Sequence, residues 1–205
     1  MEIKRYPVGQ IGTNCYFVGD EATRRGCIVD PGDEGERLVS LWKDFGYTLS
    51  AILVTHGHFD HTTALPIVAA AFPEAPIYIH REDVCEGGNP TFYQCMSVPN
   101  MHYIKDGDVI NVGGIRFTVL ETPGHTPGSV VFAAPDAMFT GDTLFAGSCG
   151  RVDFPGGDWG DMCKSLRRLA MLPGDFKIYP GHEATSSMER ERVGNPYIRS
   201  AVQLG

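Results

Sequence analysis

The sequence predicts an α+β protein with two β-sheets that are covered by helices on their outer sides. Short runs rich in Val, Ile, Phe and Tyr come in groups along the chain, and helical segments follow each group. This order fits two packed sheets better than a doubly wound parallel sheet, in which strands and helices alternate. The 25 glycines and 14 prolines indicate many turns between short elements.

Each element is expected from its local pattern. β-branched and aromatic residues predict the strands 15–18, 26–29, 51–54, 77–80, 108–112, 115–120, 130–133, 137–140 and 177–179. Apolar residues at helical spacing predict the helices 35–45, 61–72, 158–172 and 183–194. The segment 86–105 has weak periodicity and is interpreted as a long loop, either a binding loop or lid or an ordinary surface loop.

Length and charge bound the class of protein. With 205 residues, one domain spanning 1–205 is expected. Hydrophobic residues make up 42% and charged residues 20% of the chain, which is typical of globular proteins rather than of disordered chains or coiled coils. The net charge of −8 opposes binding to phosphate backbones or anionic lipid. The expected partner is therefore a small-molecule substrate, with neither nucleic acid nor membrane.

The sequence also predicts a cytoplasmic protein. The longest apolar stretch, 64–72, contains Pro66 and is shorter than the roughly 20 residues that span a bilayer. The amino terminus lacks the apolar run of a secretory signal. Six scattered cysteines without a CxxC motif fit reduced thiols better than a disulfide framework. These cysteines are Cys15, Cys27, Cys85, Cys95, Cys149 and Cys163.

The densest group of chemically active residues is THGHFDH, residues 55–61, directly after the apolar strand 51–54. In extended backbone His56 and His58 point the same way, while Asp60 and His61 can turn back as a helix begins. Imidazole and carboxylate are ligands of zinc and related metals, so this one segment could serve two adjacent ions. A polar loop with solvated histidines does not account for this density.

Three further candidates lie far away in sequence, and each follows a glycine after a predicted strand. They are His125, Asp142 and His182. Glycine lets the backbone turn sharply or approach an ion closely. The candidate metal ligands are thus His56, His58, Asp60, His61, His125, Asp142 and His182. His80, at a strand end, is interpreted as a hydrogen-bonding residue, and His102 as an exposed residue of the loop.

These residues resemble the signature of the metallo-β-lactamase superfamily, from His56 to His182. Within that superfamily, the motifs TPGHTPGS, GDTLF, CGRVDFPGGD and YPGHE are similar to the glyoxalase II group, the hydroxyacylglutathione hydrolases, and in particular to their short single-domain bacterial relatives. The resemblance implies a four-layer αββα sandwich with a dinuclear metal site along one edge of the sheets.

The resemblance also implies a role for each candidate ligand. The first metal would be held by His56, His58 and His125. The second would be held by Asp60, His61 and His182. Asp142 would bridge the two ions. The expected cofactors are two divalent metal ions, zinc in the first place, with iron and manganese as alternatives.

The implied reaction is hydrolysis of a thioester, S-lactoylglutathione or a related acyl thiol, by a hydroxide that bridges the metals. Metal-bound water is acidified toward a pKa of ~7, so no serine or cysteine nucleophile is needed. Asp60 is expected to be the catalytic carboxylate that orients the water and receives a proton. Arg151 is expected to bind a substrate carboxylate, with a structural salt bridge as the alternative. Cys149 is interpreted as loop packing, because the well-placed histidines are assigned to metal.

The sequence departs from the glyoxalase II pattern at Thr62 and Thr63, where a small residue and glycines are common, and at two positions that matter for the substrate. Asp153 and Ala184 stand where glutathione-binding tyrosines are expected, and the chain ends before the added helical domain of the longer enzymes. The sequence therefore predicts an enzyme that accepts several thiols. The segment 86–105 could compensate through Tyr93, His102 or Lys105.

Other activities remain open at this point. A persulfide dioxygenase of the same superfamily uses one iron, and the seven residues are common to both groups. A lactonase or β-lactamase is a second alternative. A ribonuclease is disfavoured by the acidic balance, and a non-enzymatic binding protein has no need of an intact ligand set.

Overall fold

Two six-stranded sheets form the centre of the protein in a computed structural model that describes residues 1–86 and 92–203. The strands are β1 (Glu2–Val8), β2 (Thr13–Asp20), β3 (Arg25–Val29), β4 (Thr48–Leu53), β5 (Ile77–His80), β6 (Val84–Cys85), β7 (Cys95–Met96), β8 (Met101–Ile104), β9 (Val109–Val112), β10 (Ile115–Glu121), β11 (Val130–Ala133), β12 (Ala137–Gly141), β13 (Leu144–Phe145), β14 (Ser148–Cys149), β15 (Lys177–Pro180) and β16 (Ser186–Ser187). The helices are α1 (Gly35–Phe45), α2 (Phe59–Thr62), α3 (Leu65–Ala71), α4 (Trp159–Ala170), α5 (Met188–Gly194) and α6 (Pro196–Gln203).

The strand order is β1-β2-β3-β4-β5-β8 in the first sheet and β16-β15-β12-β11-β10-β9 in the second. Each sheet is mixed: β3, β4, β5 and β8 run parallel, and β12 runs parallel to β15, whereas the other neighbours are antiparallel. None of the helices in the described ranges is both long and apolar enough to cross a membrane.

Alternation along β2 shows how the sequence builds the layers. Cys15 and Phe17 lie in the core beneath helices α1 and α3, whereas Tyr16 and Val18 lie in the core between the two sheets. Successive side chains of a strand point to opposite faces, so a strand that is apolar on both faces must be covered on both. The sequence of β2 therefore requires a layer on each side of its sheet.

The second sheet is covered in the same way. Its outer face, with Val131 and Met138, packs against Leu166 of α4, Met188 of α5 and Ile198 of α6. The layers are thus helices, sheet, sheet and helices, which confirms the predicted four-layer αββα sandwich.

Two predicted helices are shorter than expected. The predicted helix 61–72 is divided into α2 and α3, because Pro66, in the first turn of α3, has no N–H to continue the hydrogen bonds of α2. The predicted helix 183–194 begins only at Met188. Glu183 has a φ of 65°, in the left-handed region, and Ser187 caps α5 by accepting a hydrogen bond from the N–H of Arg190.

The sequence interpretation missed β1, β8 and α6. Both β1 and β8 are edge strands: β1 carries charged, partly exposed side chains, and β8 is only four residues long with two exposed positions, so neither shows a clear alternating pattern. Part of the segment predicted to be a long loop is therefore ordered as β8, at the edge of the first sheet. Residues 87–91 of that segment lie outside the described residues.

Chain direction places the polar loops of both sheets at one edge. Asp30 follows β3, His56 follows β4, Asp142 follows β12 and His182 follows β15. Strand β10 runs in the same direction as β12, since both are antiparallel to β11, and His125 follows β10. The N–H of Val130 donates to the carbonyl of Thr55 at 2.9 Å and joins the two sheets at this edge.

A buried polar network holds the hairpin β13–β14 against the carboxyl-terminal helices. Asn195 is fully buried, and its Nδ2 donates to the carbonyl of Ser148 at 2.9 Å and to Glu191 Oε2 at 2.8 Å. Its Oδ1 accepts from the N–H of Tyr197 at 2.9 Å and so caps α6. The Glu191 carboxylate in turn accepts from the N–H of Gly147 at 2.7 Å.

We expect Asn195→Ala to lower the free energy of unfolding by about 2–4 kcal/mol, because it removes the cap of α6 and leaves buried acceptors unpaired. Urea denaturation measures the loss. Asn111→Ala, at an exposed position of β9, is the matched control. Equal stability of the two variants would contradict the role given to this network.

Candidate metal centre

Five histidines and two aspartates from both sheets meet at the shared edge. Their ligand atoms form three overlapping groups, within each of which the atoms lie no more than 4.8 Å apart. The groups are His56, His58 and His125, then His56, His61 and Asp142, and then Asp60, His61 and His182. The seven candidate ligands, which span more than 120 positions of the chain, thus come together in one cluster.

Asp142 lies between the other ligands. Its Oδ2 is 3.5 Å from Nε2 of His125 and 3.4 Å from Nε2 of His182, and its Oδ1 is 3.4 Å from Nε2 of His61. A carboxylate offers two oxygens, so a single residue in this position can reach both halves of the cluster.

A buried hydroxyl fixes the orientation of His56. Thr55 Oγ1 donates its one hydrogen to Asp30 Oδ2 at 2.7 Å. The hydroxyl must therefore accept from Nδ1 of His56, 3.1 Å away, which leaves a lone pair on Nε2 of the neutral ring. The tautomer of His56 follows from this network of partners.

His61 and His125 are oriented by the same principle. Nδ1 of His61 donates to Oδ2 of Asp30 at 3.0 Å, and Nδ1 of His125 donates to the carbonyl of Arg151 at 2.7 Å. Each Nε2 is thereby turned toward the centre of the cluster. Holding the outer nitrogen of a histidine with an acceptor is the usual support for a metal-ligating imidazole.

Several buried polar atoms of the cluster have no hydrogen-bond partner in the described part of the chain. They are Nε2 of His56, His58 and His61 and Oδ1 of Asp142. Each unpaired buried group costs about 1–3 kcal/mol, and folded proteins keep such groups rare. Imidazole nitrogen and carboxylate oxygen are ligands of zinc and iron, so the donor set fits divalent metal ions.

Charge in the cluster also favours cations. Burial lowers the pKa of His56 well below its usual value and that of His58 to about 4, so both rings are neutral at physiological pH. Burial opposes the charged form of His182, but hydrogen bonds to Asp142 and Asp60 raise its pKa to about 9. Burial likewise opposes ionisation of Asp60, but the bond from His182 lowers its pKa to about 2. Burial also opposes the charged form of His61, but Asp142 and Asp30 raise its pKa well above the usual value. Without metal the two carboxylates are therefore balanced by protonated His61 and His182, and bound cations would take the place of those protons.

Glycine permits the close approach of the loops. A Cβ on Gly181 would collide with Oδ1 of Asp142, and Gly141, with a φ of 47°, would collide through a Cβ with the side chain of Thr55. The sequence pattern of glycine before a ligand thus has a steric cause at these two positions.

Asp83 joins two of the ligand loops. Its buried carboxylate accepts from the N–H of Gly57 at 2.8 Å, from the N–H of Gly128 at 2.9 Å and from Oγ1 of Thr126 at 2.7 Å. These bonds hold the THGHFDH loop of the first sheet against the loop of His125 from the second.

Two cavities flank the cluster. One of about 620 Å³ is lined mainly by apolar side chains, among them Phe59, Leu65, Phe92, Tyr93 and Met96. The Tyr93 ring also lies 5.8 Å from the ring of His58 and 5.2 Å from that of Phe154. A second cavity of about 250 Å³ includes Asp60 and Thr13 in its lining. Substrate therefore has space on either side of Phe59, which lines both cavities.

The residues that sequence reasoning considered for substrate have different surroundings. Arg151 forms a bidentate ion pair with Asp153 instead of presenting an open guanidinium edge on that side. Ala184 is exposed. Lys105 directly follows β8, and His102 lies within β8 and contacts Asn100 Oδ1 at 3.1 Å.

The cysteines and His80 lie outside the cluster of ligands. Burial raises the pKa of Cys149 to about 11, which disfavours a thiolate nucleophile. No two of the six cysteines, all of them within the described ranges, are joined by a disulfide. His80 contacts Glu121 Oε1 at 3.2 Å at the end of β5.

Sequence reasoning missed the supporting residues Asp30, Asp83 and Thr13. Oδ2 of Asp60 accepts a 2.8 Å hydrogen bond from Oγ1 of Thr13. Asp30 could have been identified from the sequence, because it directly follows an apolar strand, as several of the candidate ligands do. Asp83 and Thr13 could not, since their partners lie 26 or more positions away.

Comparison with known proteins agrees with this geometry. A 32% identical relative, hydroxyacylglutathione hydrolase GloC of Haemophilus influenzae, aligns over 98% of this chain and 99% of its own. The crystal structure of BLEG-1 B3 metallo-beta-lactamase has a TM-score of 0.85 at 30% identity and covers 96% of this chain and 99% of that one. The crystal structure of TTHA1623 in a di-iron-bound form has a TM-score of 0.78 at 31% identity, and the match covers 95% of this chain and 99% of that one.

The sequence model of the metallo-beta-lactamase superfamily matches residues 8–182, which include all seven candidate ligands. The histidine-rich cluster and this match together indicate a metal-dependent hydrolase. The chain belongs to the metallo-beta-lactamase superfamily.

Proposed function

We propose that this protein is a dinuclear metal-dependent hydrolase that cleaves thioesters. The observation that carries the proposal is the convergence of five histidines and two aspartates, three of whose imidazoles have their outer nitrogen held by an acceptor. In the proposed assignment His56, His58 and His125 hold one ion, and Asp60, His61 and His182 hold the other. Asp142 reaches both.

Zinc is the proposed metal, with iron and manganese as alternatives. When bound, two divalent ions supply Lewis acidity and a water acidified to near neutral pH. The relative with a di-iron-bound form supports two ions rather than one. The proposed count of two also separates this function from a persulfide dioxygenase with one iron per chain.

Asp60 is the proposed acceptor of the proton from the attacking water. Thr13 donates to Oδ2 of Asp60 and fixes the plane of the carboxylate, and the side chain borders the cavity of about 250 Å³. A positioned carboxylate typically contributes a factor of ~10²–10⁴ to a proton-transfer step. The rings of Tyr93 and Phe154 lie 5.8 and 5.9 Å from the ring of His58 and offer an apolar surface to a substrate at that side of the cluster.

The thioester class is proposed from the sequence motifs and from the relative named hydroxyacylglutathione hydrolase. The largely apolar cavity beside Tyr93 suits the uncharged part of an acyl thiol. The proposed substrate is a small molecule in the cytoplasm, with neither nucleic acid nor membrane as partner.

We expect Asp142→Ala to reduce the metal content from two ions per chain, because this carboxylate alone reaches both halves of the cluster. Elemental analysis after dialysis measures the content. Asp136→Ala, at an exposed site before β12, should keep both ions. Retention of two tightly bound ions by Asp142→Ala would refute the bridging assignment.

Asp60→Asn should lower kcat for thioesters by about 100-fold or more, because the amide loses the charge that binds metal and accepts a proton. The free energy of unfolding of the metal-free protein should change by less than about 2 kcal/mol. Turnover with saturating metal and urea denaturation measure the two quantities. A wild-type rate would show that Asp60 has no catalytic role.

Asp30→Asn should weaken binding of the ion that Asp60, His61 and His182 are proposed to hold, by about 10–100-fold. The amide is a weaker acceptor than the carboxylate for Nδ1 of His61. Competition with a chromophoric chelator measures the affinity. Asp44→Asn, an exposed change of equal charge on α1, serves as the control. Unchanged affinity in Asp30→Asn would mean that Asp30 supports only the fold.

To test the function, turnover of a panel of thioesters, lactones and glutathione persulfide is measured with purified protein whose metal content per chain has been determined. We expect hydrolysis of thioesters of several thiols with comparable kcat/KM. A kcat/KM for S-lactoylglutathione that exceeds those of the other thioesters by on the order of 1000-fold, or ~4 kcal/mol, would contradict this expectation, because it would require a specific glutathione-binding site. Sulfite formation from the persulfide with one iron per chain would replace the proposal by the dioxygenase.

A further inference from the structure

Asp153 occupies one edge of the Arg151 guanidinium. Its Oδ1 accepts from Nε of Arg151 at 2.6 Å, and its Oδ2 accepts from Nη2 at 2.7 Å. Two parallel bonds of this kind are the geometry in which arginine recognises any carboxylate, including that of a substrate. A substrate carboxylate that approached this edge would have to displace Asp153.

The ion pair lies at the mouth of the metal centre. The guanidinium of Arg151 stacks on the ring of Phe154 at 3.9 Å, and that ring lies 5.9 Å from the ring of His58. The backbone carbonyl of Arg151 accepts the 2.7 Å bond from His125. A substrate held at the metal ligands therefore extends past Arg151 and Asp153 if it leaves the site on this side.

The charges of the pair cancel where the substrate enters. The side chains of Arg151 and Asp153 are 55% and 65% exposed, so their fields reach the solvent. The hydrogen bonds from Arg151 lower the pKa of Asp153 to about 2, so the carboxylate stays ionised at physiological pH. An approaching anion meets one positive and one negative charge at similar distance, and the net attraction is small.

Building on the proposed function, we propose that Asp153 sets the charge selectivity of the substrate mouth. By holding Arg151, it withholds from thioesters whose thiol carries carboxylates the attraction that a free guanidinium would give, so that thioesters of charged and uncharged thiols are hydrolysed with comparable kcat/KM. The competing explanation is that Asp153 positions Arg151 so that the remaining edge of the guanidinium binds a substrate carboxylate. The two explanations predict opposite effects of removing the Asp153 charge.

The test uses two substrates with the same acyl group. One is the lactoyl thioester of glutathione, which carries two carboxylates, and the other is the lactoyl thioester of uncharged N-acetylcysteamine. Asp153→Asn should raise the ratio of kcat/KM for the anionic over the neutral substrate by about 5-fold, the size of an exposed charge interaction. The gain should shrink at high ionic strength, since exposed charges are screened by salt.

Two further variants make the result specific. Arg151→Ala should lower the same ratio, because it leaves the Asp153 charge alone at the mouth. Asp44→Asn changes the net charge equally but lies on α1, against the outer face of the first sheet, and should leave the ratio unchanged. A lower ratio in Asp153→Asn than in wild type would overturn the proposal in favour of a positioning role, and an unchanged ratio would exclude both.

Binding keeps the test independent of the proposed reaction. S-hexylglutathione and S-hexyl-N-acetylcysteamine are thioethers that cannot be hydrolysed, and calorimetry with metal-loaded protein gives the Kd of each. Asp153→Asn should shift the ratio of the two Kd values by about 5-fold toward the anionic ligand. If neither thioester is hydrolysed, the thioesterase function fails while the Kd ratio still decides the role of Asp153. A Kd ratio that stays at the wild-type value overturns the proposal.

Discussion

A buried excess of hydrogen-bond acceptors is the constraint on which the rest of the site depends. Asp60 and Asp142 bring two ionised carboxylates to one place, and the outer nitrogens of three imidazoles are already engaged, so their inner nitrogens present lone pairs to the same space. In the metal-free protein His182 donates to both carboxylates, and Nδ1 of His58 lies 2.8 Å from Nε2 of His125. Nε2 of His56, His58 and His61 and Oδ1 of Asp142 still have no hydrogen-bond partner in the described ranges. Such a cluster is costly without cations and favourable with them. Metal binding and folding of this edge are therefore coupled.

The αββα sandwich brings these residues together at one edge of its two sheets. Strands that end at the same edge deliver ligands from both sheets, and the bond from the Val130 N–H to the Thr55 carbonyl joins the sheets between them. Asp83 and Asp30 then fix the loops, and both are buried. Asp83 accepts from the loops of both sheets, whereas Asp30 accepts from Thr55 and His61 at the two ends of the THGHFDH loop. Because these carboxylates lie outside the cluster, they can orient the ligands without competing for the ions.

The metal centre and the substrate mouth follow different rules. The candidate ligands are buried or half-buried, and hydrogen bonds to Thr55, to Asp30 and to the carbonyl of Arg151 hold three of the imidazoles, so the geometry of the centre is set by the fold. Arg151 and Asp153 are more than half exposed, and an exposed ion pair contributes little to stability. Substitutions at this pair can therefore change which substrates enter the site at little cost to the fold, whereas changes at the candidate ligands would affect metal binding itself.

The sequence by itself determined the layers and indicated the seven candidate ligands, because both depend on local patterns. Alternation along β2 requires a cover on each face, and the spacing of THGHFDH places several ligand types after one strand. Edge strand β1 was not predicted, because its charged and partly exposed positions follow no clear alternation. Helix α6 was overlooked although its apolar residues recur at helical spacing. Only the tertiary structure decided which residues orient the ligands and what Arg151 faces. Asp30 and His61 are 31 positions apart, and the contact of Arg151 with Asp153 depends on side-chain directions in an irregular loop. Such contacts arise from the packing of distant segments, which no local pattern encodes.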